Sequence, residues 1–321
     1  MKDASPESGG PMDQRRSGSA VRAALELLRV PHWVKNLIVL LPVLFAARFA
    51  DPAAWRLALL AAAAFCLASS AMYVLNDILD RESDRYHPAK RDRPIASGRI
   101  GTPAAVAEMA VLLAGAGALS VAVSTPLAAV VLGYLLLQVL YNLLFKWHML
   151  TDAICLSLGF VLRAVGGAVA IRVEVSPWLL VCSFAVCLFL GFCKRHCEVV
   201  SVGQGEAVMH RKTLACYTPG LLNHLITLSG AVAMVCFLLY ATSELTINRF
   251  GTNYFIYTSP LVFYGIGRFA MLSMKGAYSD PTEMLLRDRG IQATTMLWLA
   301  ACAVIIKYGR EIQQWVAAHG H

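Results

Sequence analysis

The sequence predicts an all-α, polytopic membrane protein, and three observations carry that expectation. Hydrophobic residues make up 58% of the chain and charged residues only 15%, whereas a soluble domain averages about 25% charged. The apolar residues fall in runs long enough to cross a bilayer core of roughly 30 Å, which takes about 20 residues of helix. Those runs do not alternate polar with apolar, as the strands of a membrane barrel must.

The elements follow in chain order. Residues 1–20 are rich in Ser, Gly, Pro and charge, with nothing to bury, and read as a disordered tail. No apolar core lies near their start, so they do not read as a cleaved signal peptide. In "VRAALELLRVPHWVKN", apolar residues at helical spacing stand among Arg22, Glu26, Arg29 and Lys35, which suits a short interfacial helix leading to Pro31. Nine spans are then expected, near 34–50, 54–79, 102–123, 125–145, 151–171, 177–197, 220–241, 254–274 and 290–308. The membrane domain covers 21–310, and 311–321 form a C-terminal tail.

Orientation follows from the positive-inside rule. With the N-terminus inside, most Lys and Arg residues fall on the cytoplasmic side. Only Arg48, Arg56, Arg172, Arg249, Lys307 and Arg310 lie outside, while Arg163 and Arg268 fall within spans. The net charge of +8 therefore sits in short loops abutting spans, without the aromatic-basic module of a nucleic-acid binder. Anionic membrane lipids and phosphate-bearing substrates are the expected partners. Nine cysteines are scattered through apolar segments and read as reduced packing residues. The Cys193 and Cys197 pair is too small a ligand set for a metal site.

The chemistry concentrates in "NDILDRESDRYHPAKRDRPIASG", residues 76–98. If the second span continues as helix, Asp77, Asp80 and Asp84 recur at i, i+3 and i+7 on one face, with Asn76 alongside. Three like charges repel, so a cation belongs there. Oxygen-only donors suit a hard divalent ion, and Mg²⁺ characteristically takes one or two carboxylates plus substrate phosphates. The plainer alternative is a solvated helix end whose acids pair with Arg81 and Arg85. Beyond the acids, His87, Lys90, Arg91, Arg93 and Arg99 are broken up by Pro88 and Pro94, which stop the helix. This basic loop can fold back over the carboxylates and enclose a phosphorylated ligand, or can serve only as an inside anchor.

"NDILDRESD" resembles the aspartate-rich motif NDxxDxxxD of the UbiA-type intramembrane prenyltransferases. More narrowly, "PHWVKNLIVLLPVLFA", the 76–98 stretch, "LGFVLRAVGGAVAI", "SPWLLVCSFAVCLFLGFCKRHCEV" and "SDPTEMLLRDRG" resemble, in order, segments of the branch that transfers phosphoribosyl groups to decaprenyl phosphate. The resemblance runs from about residue 29 to 308. It implies nine helices around a central cavity open to the cytoplasm and laterally to lipid, in a bacterial plasma membrane. It also implies phosphoribosyl diphosphate and a polyprenyl phosphate as substrates, with Mg²⁺, or Mn²⁺ in its place, held by Asp77, Asp80 and Asp84 as catalytic residues. The product would be the precursor of a lipid-linked arabinose donor for cell-envelope polysaccharide. Homo-oligomerisation is left open.

Other residues join the expected substrate site. Lys35 belongs to the first resembling segment, and Tyr141 with Lys146 resembles the family's Y-x-x-x-x-K element. The relatives that prenylate aromatic rings carry a second acidic motif where this chain has Lys194, Arg195 and Glu198. A Lys-Arg pair there recruits phosphate directly, which favours a ligand set richer in phosphate than one prenyl diphosphate. Arg163, a charge inside a span, needs a partner or an aqueous cavity. Arg287 lies in a loop able to close the cavity, on a short helix with Glu283 that Ser279, Asp280 or Thr282 can cap. An aromatic prenyltransferase and a non-catalytic transporter remain the competing readings. The first demands the missing second acidic motif, and the second needs no basic lid.

Overall fold

A computed structural model describes residues 22–86, 90–202, 216–278 and 281–319. The 1–20 tail, His87, Pro88, Ser279 and Asp280 lie outside these, as does the side chain of Thr282. Secondary structure among the described residues is entirely helical. Eight helices are long and apolar enough to cross a membrane: α1 (Pro52–Leu79), α2 (Thr102–Val123), α3 (Thr125–Leu143), α4 (Thr151–Ala170), α5 (Pro177–Val202), α6 (Pro219–Thr242), α7 (Tyr254–Met274, beginning as a 3-10 turn) and α8 (Arg289–His319). The last continues through most of the expected C-terminal tail.

Their starts are written locally. Asp51 accepts from the Ala53 and Ala54 amides, Ser124 from Leu127 and Thr218 from Leu221. Each cap is followed by a proline at the first helical positions, where a missing N–H costs nothing.

The expected first span is different. Val30–Leu40 is a 3-10 helix that passes into a short α-helix, Leu41–Phe45, so the segment falls below membrane length for an α-helix. Pro42 has no N–H to donate back, and the ladder restarts there. Because a 3-10 turn rises about 2.0 Å per residue rather than 1.5 Å, these few residues still reach about 30 Å. The element lies hard against α4 at Gly167, where any Cβ would collide with the Val39 carbonyl.

Packing divides the bundle into α1–α4 with the Val30–Phe45 element, and α5–α8, joined where α4 meets α5. The central layer of the first half is Val39, Ala61, Phe65, Leu127, Val131 and Tyr134. The segment before Val30, expected as a short interfacial helix, packs its apolar face on the bundle. Ala23 and Leu27, one helical turn apart, are fully buried against Met72, Val74, Ile95 and Ile100. Its apolar face is thus a piece of core, and it carries Arg29 inward.

Candidate active site

The acidic stretch begins as expected and then breaks. Helix α1 stops at Leu79, Asp80 leaves the helical region (φ −93°, ψ 5°), and a new short helix runs from Arg81 to Tyr86. One continuous face for three carboxylates is therefore lost. Asp77 and Asp84 are both buried and converge on a single guanidinium nitrogen, Nη1 of Arg93, at 3.1 and 2.6 Å. Asp80 turns instead to Lys146, whose Nζ lies 2.6 Å from its Oδ1. Asn76 stands beside Asp77 and accepts from the Asp80 amide through its carbonyl.

The basic loop does fold back over the acids. Ile95 and Ala96 are buried, the Arg85 guanidinium donates to the Ala96 carbonyl, and Ile100 N–H closes on the Pro94 carbonyl. Gly98 turns the chain at φ +77°, a conformation that favours glycine. This anchoring holds Arg93 between the two aspartates and puts Lys90 Nζ 3.9 Å from Asp84.

Arg29 is the residue that sequence reasoning missed. Its backbone sits in the left-handed region at φ 50°, uncommon for a non-glycine residue and frequent at functional sites. From there Nη2 donates to Asp77 Oδ1 at 2.6 Å, while the guanidinium lies 5.0 Å from the centre of the Tyr73 ring. The only available signal was its position one residue before "VP", on a segment read as interfacial. Arg29, His32, Asp77, Arg93 and Pro94 line an open cleft of about 550 Å³. Lys35, Arg29, Lys194 and Arg93 all lie within electrostatic reach of His32, and two of them, Arg29 and Arg93, line the cleft itself. Among the groups at its rim, Glu26 is held below the usual carboxylate range by its hydrogen bond to Arg99.

The pair at the end of α5 divides. Lys194 is exposed and within electrostatic reach of His32 at the cleft. Arg195 is buried and committed to the fold: it contacts Asp152 Oδ2 through Nε at 3.2 Å and Glu198 Oε2 through Nη1 at 2.6 Å. Tyr217 donates to the other oxygen of Asp152 at 3.0 Å and accepts from the Leu150 amide; burial pushes its phenol up to about 12. Arg195 and Glu198, expected at the substrate site, are bonded to each other, and Asp152, distant in sequence, also neutralises Arg195. Tyr141 is nearby, within electrostatic reach of Arg195. Arg287 pairs with Glu283 at 3.0 Å and is largely exposed, while Met284 of the same short helix is buried beside α5. Arg163 sits deeper, bonded to Asn36, Gly159 and Tyr134 rather than to the acid cluster.

Among the described residues no three His, Cys, Asp or Glu side chains are gathered as a ready metal site. The donors nevertheless fit a divalent ion. Asp77 and Asp84 offer oxygen ligands around a point already filled by positive charge, and two carboxylates are the usual protein share for Mg²⁺ beneath a phosphate. Of the three expected carboxylates, Asp77 and Asp84 share one cation here, while Asp80 is bonded to Lys146.

Comparison with known proteins places these features in a family. The model of the UbiA prenyltransferase family matches residues 36–286. The chain is 30% identical to the decaprenyl-phosphate phosphoribosyltransferase of Mycolicibacterium smegmatis, over 96% of this chain and 98% of that one. It is 32% identical to the protein of the same description from Corynebacterium glutamicum, over 88% and 86%. Among solved structures, a UbiA homologue from Archaeoglobus fulgidus bound to GPP and Mg²⁺ superposes with a TM-score of 0.67 at 18% identity, covering 89% of this chain and 99% of that one.

Proposed function

The chain belongs to the UbiA prenyltransferase family, and on that premise we propose that it transfers the 5-phosphoribosyl group of phosphoribosyl diphosphate to a polyprenyl phosphate, releasing diphosphate. The observation that carries this reading is the composition of the cleft: two buried carboxylates overlaid by Arg29, Arg93 and Lys90, with Lys194 within electrostatic reach of His32 at its edge. Such a surface suits a ligand with more phosphate than a prenyl diphosphate carries. The names of the relatives support the same substrates.

Asp77 and Asp84 are the residues that would hold Mg²⁺, which when bound neutralises charge on a departing diphosphate. The chain's own part is to bind, orient and screen. Arg29 and Arg93, each paired with a carboxylate, are placed to turn toward the diphosphate oxygens as the acids take another cation. Lys146 fixes Asp80 and keeps it from competing for the same position. In the transfer, a phosphate oxygen of the lipid forms a bond to C1 of the ribose as the bond from C1 to the diphosphate breaks. The leaving group departs with the electron pair. The nucleophile is already an anion, so no side chain need remove a proton, and alignment and charge stabilisation carry the rate.

Cytoplasmic placement of the cleft, supported by the loop charges, matches the side on which a soluble sugar diphosphate is found. In the wider setting the product would serve as precursor to a lipid-linked arabinose donor for a bacterial envelope polysaccharide. Mn²⁺ is expected to substitute for Mg²⁺.

The test is diphosphate release by the purified protein in detergent with Mg²⁺. Release should require both phosphoribosyl diphosphate and polyprenyl phosphate. Turnover of prenyl diphosphate with an aromatic acceptor, and none with the first pair, would transfer the reading to aromatic prenylation. Asp77→Ala and Asp84→Ala should each cost at least about 100-fold in kcat/KM while the protein stays folded; near-normal activity in either would remove the acids from the mechanism.

A further inference from the structure

Arg163 is 6% exposed and sits in α4 twelve residues from Thr151, about 18 Å into the helix. All its bonded partners are neutral. Nε donates to Asn36 Oδ1 at 2.6 Å, Nη1 to the Gly159 carbonyl at 3.1 Å and Nη2 to the Tyr134 hydroxyl at 2.8 Å, with the Tyr134 and Phe160 rings against the guanidinium. The other buried cations have acids: Arg195 has Asp152 and Glu198, and Lys146 has Asp80. No carboxylate among the described residues forms an ion pair with Arg163. An isolated charge at this depth is costly, and no acid among the described residues supplies the counter-charge.

We propose that the missing counter-ion is the phosphate of the acceptor lipid, and that Arg163 is its binding residue. The inference rests on the transferase reading above, which requires an anionic lipid headgroup inside the bundle. A guanidinium has five N–H donors, and three are used here. The remaining two, one on Nη1 and one on Nη2, match two oxygens of a phosphate in a forked contact and leave a third oxygen for attack.

Depth supports the assignment. Asn36, which holds Arg163, also donates to Ser69 of α1 at 3.2 Å. Ser69 lies eight residues below Asp77, about 12 Å along the helix axis. Tyr73 stands between them, half-buried, with Arg29 over its ring and Arg163 within electrostatic reach. A diphosphate at Asp77 and a lipid phosphate at Arg163 thus leave the level of Tyr73 for the pentose, with the two phosphates on opposite sides of C1. The lipid arrives from the apolar end and the sugar from the aqueous end, so neither substrate must pass the other.

The experiment compares binding of a labelled polyprenyl phosphate with that of the uncharged polyprenol to the purified full chain in detergent. The wild type should prefer the phosphate at least tenfold, and saturating inorganic diphosphate with Mg²⁺ should leave that preference intact. Loss of the preference under diphosphate would place the lipid phosphate at the Asp77 cleft and overturn the assignment. Arg163→Gln should abolish the preference and raise KM for the lipid at least tenfold, with KM for phosphoribosyl diphosphate within twofold. Arg163→Lys, which keeps the charge, should restore part of the preference. A merely structural arginine would move both KM values together and leave the phosphate preference of the folded fraction unchanged. Phosphate preference without ribosyl transfer would sink the transferase reading and keep this site; transfer with a preference indifferent to Arg163→Gln would sink this site alone.

Discussion

Neighbouring residues at the end of α5 do opposite jobs. Lys194 is exposed within electrostatic reach of His32, while Arg195 is locked among Asp152, Glu198 and, through Asp152, Tyr217. Lys194→Ala should raise KM for phosphoribosyl diphosphate several-fold and leave the melting temperature unchanged. Arg195→Ala should strand a buried carboxylate and cost about 3–5 kcal/mol of stability, with KM in the folded fraction nearly unaltered; steady-state kinetics beside thermal unfolding separates the two. The motif made Asp77, Asp84, Lys90 and Arg93 legible, because charge at a span end needs a reason. Arg29 and Asp152 were not legible. Their roles depend on a left-handed backbone turn and on contacts with residues 48 and 43 positions away in the chain, which no local pattern records.

At the scale of elements, the spans were readable from apolar length and their starts from Asp, Ser or Thr followed by Pro. The Val30–Phe45 element was not, since a 3-10 path has no hydrophobic period that separates it from an α-helix in so apolar a stretch. Its seat on α4 depends on Gly167. Gly167→Val should push the element away, lower stability by about 1–3 kcal/mol and weaken activity through the displaced Arg29 and Asn36, as unfolding and kinetics on one preparation would show. The start of α8 depends on Asp288, which binds Arg268 at 2.6 and 2.9 Å and accepts from the Ile291 amide. Arg268 holds its carboxyl below the usual carboxylate range. That contribution to stability is complete above the unfolded value near 3.8 and is lost as pH falls through the lower folded value. Melting temperature measured from pH 6 to pH 3 should therefore fall less steeply in Asp288→Asn than in the wild type.

For the whole molecule, two sources of order meet at one end of the bundle. Apolar length builds the spans, and the charged segments that cannot enter lipid collect around Asp77, Asp84 and Arg93. Orientation has a direct probe in Cys216, which is exposed where the other eight cysteines are buried or partly buried. A membrane-impermeant maleimide should label it in inverted vesicles and not in intact cells, with Cys216→Ser as control; the reverse pattern would invert the topology. The central claim is transfer of a phosphoribosyl unit onto a lipid phosphate. Its most direct measurement is phosphoribosyl diphosphate labelled at the 5-phosphate, incubated with purified protein, Mg²⁺ and polyprenyl phosphate, followed by counting of the organic and aqueous phases. Label should enter the organic phase in equal amount to the diphosphate released, and none should with Asp84→Ala. Diphosphate released with all the label still in water would mean hydrolysis without transfer, and would contradict it.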